Sequence, residues 1–113
     1  MKNVALLILS VFGALLSPAC IAGSQTGTVA YVVVRASDGL IYFALNGTKA
    51  GSPSCATIPY WMIRDENSNS GKQQYALLIA AQASGKTVSV SGLNTCIRWG
   101  DGEDVDWIQL VSG

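Results

Sequence analysis

Residues 70–85, S-G-K-Q-Q-Y-A-L-L-I-A-A-Q-A-S-G, are the one segment after the N-terminal apolar run that reads as a complete helix. The hydroxyl of Ser70 is placed to cap the first turn, Gln73 follows at capping-box spacing, and Gly85 supplies the left-handed residue that ends a helix. Tyr75, Leu77, Leu78, Ile79, Ala80 and Ala81 leave almost no polar face, so the helix is expected to be covered on nearly every side. The segments on either side of it read as short strands and turns.

Upstream, Gly23 to Gly27 is polar and reads as loose chain. Thr28 to Arg35, T-V-A-Y-V-V-V-R, is β-branched and aromatic and reads as a strand. Ser37-Asp38-Gly39 is a tight connection to a second strand, Leu40 to Leu45, and the two are expected to pair as a hairpin. A Gly/Ser/Pro-rich loop then delivers Cys55. The next strand, in A-T-I-P-Y-W-M-I, is short or irregular because Pro59 has no amide hydrogen to give a ladder. Downstream, Lys86 to Ser91 alternates with Val88 and Val90 inward. Cys96 to Trp99 starts a further strand, Gly100 to Asp104 turns, and Val105 to Val111 closes the domain. By alternation, Val105, Trp107 and Gln109 share one face of that last strand. This order predicts a mainly β domain: a five-stranded OB-like Greek-key barrel with its helix between strands 3 and 4. A split α+β sandwich is the alternative.

Residues 1–22 carry Lys2, an apolar run from Val4 to Leu16, Pro18 and then small residues. This is the pattern of a secretory signal peptide, with cleavage expected after Ala22, where Cys20 and Ala22 fill the small-residue positions. L-S-P-A-C also approaches a lipoprotein site with Cys20 as the lipidated residue, although proline beside the cut fits it poorly. The expected organisation is a leader, 1–22, and one domain, 23–113, secreted or periplasmic. No later stretch is long and apolar enough for a membrane span. The chain has seven basic and seven acidic residues; losing Lys2 leaves a net charge of −1, which offers no field for nucleic acid or an anionic membrane. Of three cysteines, Cys55 and Cys96 remain in an oxidising compartment, and a disulfide between them is expected.

The run I-Y-F-A-L-N-G-T-K-A-G-S-P-S-C-A (41–56), Trp61, the helix at 72–84, and G-K-T-V-S-V (85–90) followed by L-N-T-C (93–96) resemble the small secreted B subunits of subtilase-cytotoxin and pertussis-like toxins. The resemblance spans roughly Tyr31 to Cys96. It implies an OB-fold subunit with one intramolecular disulfide, assembled into a homo-oligomeric ring with the helices toward the centre and binding cell-surface glycans. The chain departs from the pattern in its short link from helix to next strand and in its acidic end, W-G-D-G-E-D-V-D-W. None of the family's sugar-contacting residues is carried over.

Catalysis has little to work with. The chain has no histidine, its mature cysteines are better used as a bridge, and no serine sits in G-x-S-x-G. The carboxylate pairs Asp65/Glu66 and Glu103/Asp104 are the remaining candidates for acid and base work on a glycosidic bond. Both fall in segments read as solvated turns, where carboxylates stay ionised, so no enzyme and no cofactor are expected. Asp101, Glu103, Asp104 and Asp106 crowd four carboxylates into six residues, without the spacing of an EF-hand. They read as a solvated hairpin that guards a sheet edge, with Arg98 alongside as an ion-pair partner, and no metal is expected.

Tyr60, Trp61, Trp99 and Trp107 are many large aromatics for this length. Sugar rings stack apolar faces on indole while their hydroxyls seek Asp, Asn and Arg, and core packing accounts for any single tryptophan equally well. Trp99, at a strand end in C-I-R-W-G-D, is expected to be exposed. OB barrels bind on an outer sheet face and adjoining loops, which would gather the hairpin turn at Asp38 and a late loop. The ligand-binding candidates are therefore Trp99, Trp61, Tyr60, Asp38, Arg98 and Asp101. They serve a glycan-binding module or, alternatively, a periplasmic domain that occupies a protein partner as an interaction or inhibitor module without sugar.

Overall fold

A computed structural model describes residues 21–111. The expected leader through Cys20, and with it the question of lipidation, lies outside the described residues. The elements are β1 (Ser24–Val34), β2 (Ile41–Leu45), β3 (Trp61–Met62), α1 (Asn69–Ser84), β4 (Thr87–Gly92) and β5 (Glu103–Leu110). The strands form a closed barrel in the order β1-β2-β3-β5-β4, with α1 between strands 3 and 4, as an OB-like barrel requires. Neighbours are antiparallel except β3 and β5, which close the barrel in parallel.

β1 serves both halves of the barrel. Ser24–Thr28 pairs with β4 and Val29–Val34 with β2, and the register shifts between Val29 and Tyr31, leaving Ala30 as the extra residue of a bulge. The 23–27 segment is thus not loose: all of it but Gly23 is strand. Its polar side chains do not prevent this, because a ladder is made by backbone and only one side faces in. Gln25 points inward and is buried, while Thr26 meets Ser89 across the strands at 3.0 Å. A second shift, at Asp106 in β5, breaks the expected alternation. Val105 and Ile108 both reach the core, and Trp107 turns out to solvent at 45% exposure.

The core joins Val29, Ile41, Phe43, Leu45, Trp61, Ile63, Val88, Val90 and Val105 to Leu78 and Ala81 of α1. Each large side chain so buried contributes about 1.5–3 kcal/mol. The helix is capped by Ser68 rather than Ser70: Gly71 N donates to Ser68 Oγ at 2.9 Å, and that hydroxyl donates to Asp65 O at 2.7 Å. Gly71 is required here, since a Cβ would lie 1.9 Å from Asp65 O. At the other end Gly85 adopts φ 69°, and Lys86 N reaches back to Ala81 O at 3.0 Å, a Schellman-type stop. The helix is not wrapped. Gly71, Leu78 and Ala81 are its buried residues, and Ile79 is 40% exposed. Its alanines reflect helix propensity more than burial, because a barrel this small has room for one stripe of a rod.

Two further sequence expectations change. Cys96–Trp99 forms no strand, and Glu103 and Asp104 lie in β5, fully buried, instead of in a solvated turn. The two facts share a cause. Asp104 accepts from Thr95 Oγ1 (2.7 Å), Ile97 N (2.8 Å) and Arg98 N (3.1 Å), so a side chain takes the amides that a ladder would have used. Glu103 points the other way and accepts from Gly23 N and Asn94 N, with Lys49 Nζ at 3.1 Å.

Candidate ligand-binding site

Outside the barrel, the outer face of β2 and β3 carries its own apolar floor. Leu40 and Met62 are buried but stand apart from the central cluster, and Tyr42 is paired with Met62 in register. The 93–102 loop descends on this floor: a Cβ on Gly102 would come within 2.6 Å of Met62 Cε and 2.8 Å of Tyr60 Cε1. The result is a cleft of about 290 Å³ lined by Arg35, Leu40, Tyr42, Tyr60, Met62, Trp99 and Asp101.

Three devices fix the loop. Asp104 holds Thr95, Ile97 and Arg98 as described. The Cys55–Cys96 disulfide, with Cα atoms 6.1 Å apart, ties it to the segment before β3, and Ile58 N donates to Asp101 O at 3.1 Å beside it. Arg98 forms a two-pronged pair with Glu66 (3.1 and 3.2 Å) and donates to Asp38 O at 3.0 Å, joining the loop to the β1–β2 turn. The Arg98 guanidinium holds the Glu66 carboxyl below its ordinary range.

On this frame Trp99 stands at the cleft mouth, 40% exposed, with the Arg35 guanidinium 4.3 Å from its ring centroid. Arg35 is in turn clasped by Asp38 through Nε (3.1 Å) and Nη2, and Leu40 N donates to the same carboxylate. Asp38 is pulled down to about 2, first by its hydrogen bond from Arg35 and then by the Leu40 amide. Tyr60 Oη donates to Asp101 Oδ1. Burial first, and that bond second, push the phenol up to about 12. The Tyr42 and Tyr60 rings meet edge to face at 5.2 Å, and Tyr31 continues the row against Tyr42 at 6.4 Å.

The structure therefore brings Trp99, Tyr60 and Asp101 into one cleft, with Asp38 and Arg98 as its supports one layer out. Trp61 does not join them. It is fully buried, donates from Nε1 to Gln25 Oε1 at 2.8 Å, and packs under Lys49 Nζ at 4.0 Å, so it offers no stacking surface. Alternation could not decide this, because Trp61 and Tyr60 are adjacent and β3 spans two residues. Arg35, Tyr42, Leu40 and Met62 were missed. Tyr31, Val33 and Arg35 in β1 and its extension share a parity, as do Leu40 and Tyr42 around β2, and that outer-face stripe was the available signal.

The acidic cluster is dispersed. Asp101 faces Tyr60, Glu103 and Asp104 point to opposite sides of β5, and Asp106 is exposed; no group of three or more potential metal ligands occurs among the described residues. No helix among the described residues is long and apolar enough to cross a membrane. No protein-family model, no curated protein and no solved structure matches this chain.

Proposed function

We propose that the protein is an exported carbohydrate-binding module that grips a sugar ring in the Trp99 cleft. The observation that carries this reading is one arrangement: a half-exposed indole, backed by Arg35, beside Tyr60 and Tyr42 and over the Leu40/Met62 floor. Such a cleft offers an apolar plate for the C–H face of a pyranose. The Asp101 carboxylate and the Arg35 guanidinium at its edge offer acceptors and donors for hydroxyls. Binding rather than catalysis suits the carboxylates, since Asp38 and Glu66 are spent on arginines and Glu103 and Asp104 on backbone amides. In the toxin-subunit form of this reading, copies assemble into a ring. Ile79 on α1 and Trp107 on β5, which α1 touches through Gln74 Nε2 and Asp106 O, supply apolar surface for that contact.

The test is a glycan array probed with the processed domain and with Trp99→Ala. Dose-dependent binding that falls at least about tenfold in the variant is expected, the loss of roughly one stacking contact of 1.4 kcal/mol or more. A flat array removes the lectin reading. A second reading, a protein-binding module, draws on Ile97 at 65% exposure and Leu93, both in the 93–102 loop, and on exposed Ile58, whose amide bonds to that loop. It predicts no sugar binding and a monomer by light scattering.

A further inference from the structure

We infer that Gly23 becomes the N-terminal residue of the working protein and that its α-ammonium is received in a socket built around the Glu103 carboxylate. The Gly23 nitrogen lies 3.2 Å from Glu103 Oε1 and 3.0 Å from Oε2, straddling both oxygens of a carboxylate with no exposed surface. A neutral amide brings one hydrogen to this position, whereas an ammonium brings three and satisfies both oxygens with a charge-assisted bond. The socket admits only glycine: a Cβ at residue 23 would sit 2.5 Å from Glu103 Oε1, 2.7 Å from Gly51 O and 2.7 Å from Lys49 Cε.

Burial falls off over the first three described residues. Gly23 is buried, Ala22 half-buried and Ile21 64% exposed, while Gly23 O accepts from Gly92 N at 2.9 Å and Ser24 exchanges both backbone bonds with Ala50. Among the described residues, the first one bonded into the barrel is thus the residue after the small-residue pair Cys20 and Ala22, where a leader peptidase would cut. In that step water adds across the Ala22–Gly23 amide. The C–N bond breaks, Ala22 departs as a carboxylate and the Gly23 nitrogen takes up protons to become the ammonium. Lys49 Nζ, 3.1 Å from Oε1 and 4.0 Å from the Trp61 ring centroid, shares the carboxylate, so processing adds a second cation to the site. The inference is independent of what the cleft binds.

The experiment exports the full-length precursor with its own leader and determines the mature mass and N-terminal sequence. Gly23 as first residue is expected; Cys20, lipidated or not, or any other start overturns the inference. The α-amine is then reacted with an amine-selective acylating reagent near neutral pH. Native protein is expected to label at least about tenfold more slowly than urea-denatured protein, as one ion-paired, buried amine should. Equal rates overturn it. In Glu103→Gln the protection is expected to vanish while exposed Lys72 and Lys86 label as before; a folded variant that keeps the protection overturns the role of Glu103. If that variant does not fold, a precursor with Thr-Gln inserted between Ala22 and Gly23, which keeps Cys20 and Ala22 as the small-residue pair and places no small residue directly before Gly23, decides. Its displaced amine should label at the denatured rate and its Tm should fall, and an unchanged Tm overturns the inference.

Discussion

Tyr60 and Asp104 show how single side chains set this site. Tyr60 titrates at about 12 instead of 10.0 because it is partly desolvated and bonded to Asp101. A raised folded-state value means that the protonated phenol favours the folded state. That stabilisation is complete below pH 10, the unfolded value, and is lost as pH rises through about 12. Ultraviolet difference titration of the parent against Tyr60→Phe should assign a late-ionising phenol to Tyr60, and Asp101→Asn should lower its value by removing the second of its two causes. Asp104 is the acceptor for a hydroxyl and two amides of the loop. Replacing it with Asn removes the charge and turns one acceptor into a donor facing donors. Urea unfolding of Asp104→Asn should show a loss of about 2–3 kcal/mol. Neither role was legible beforehand. A sequence shows that carboxylates are close in the chain, but not that one backbone shields them from water.

At the scale of elements, the helix and the strands that alternate cleanly were readable, because caps and periodicity are local. Gly85 ends α1 as expected, and Val88 and Val90 face inward. Local reasoning failed where a distant partner overrules it. Ser68 displaced Ser70 as the cap because the Asp65–Asn67 turn directs its hydroxyl at Gly71 N. The bulges at Ala30 and Asp106 shifted faces that strict alternation assigns, and both are set by cross-strand register. The tight seat of α1 gives a prediction. Gly71→Ala forces a methyl against Asp65 O and should cost about 1–3 kcal/mol in a urea melt, whereas Ala76→Ser on the exposed side should fall within about 0.5 kcal/mol of the parent.

For the whole molecule, barrel and cleft are separate layers joined by one loop. The barrel core closes without the loop, while the cleft exists only because residues 93–102 are pinned over β2 and β3 by Asp104, Arg98 and the disulfide. On a chain-entropy estimate that bridge, closing 41 residues, contributes about 4 kcal/mol. Barrel order and bridge were legible because they follow from the sequence of elements and an even cysteine pair. The cleft was legible only in part, because Arg35 and Tyr42 reach it through strand parity and Trp61 leaves it through burial. The three tryptophans now occupy three settings: Trp61 in the core, Trp99 at the cleft and Trp107 on the outer face of β5. Their indole N–H signals in a nitrogen-labelled sample, followed while a glycan from the array is titrated in, report on the account directly. It predicts that the Trp99 signal moves with saturating dose while those of Trp61 and Trp107 stay in place. Saturable movement of Trp107 with Trp99 unmoved would contradict it.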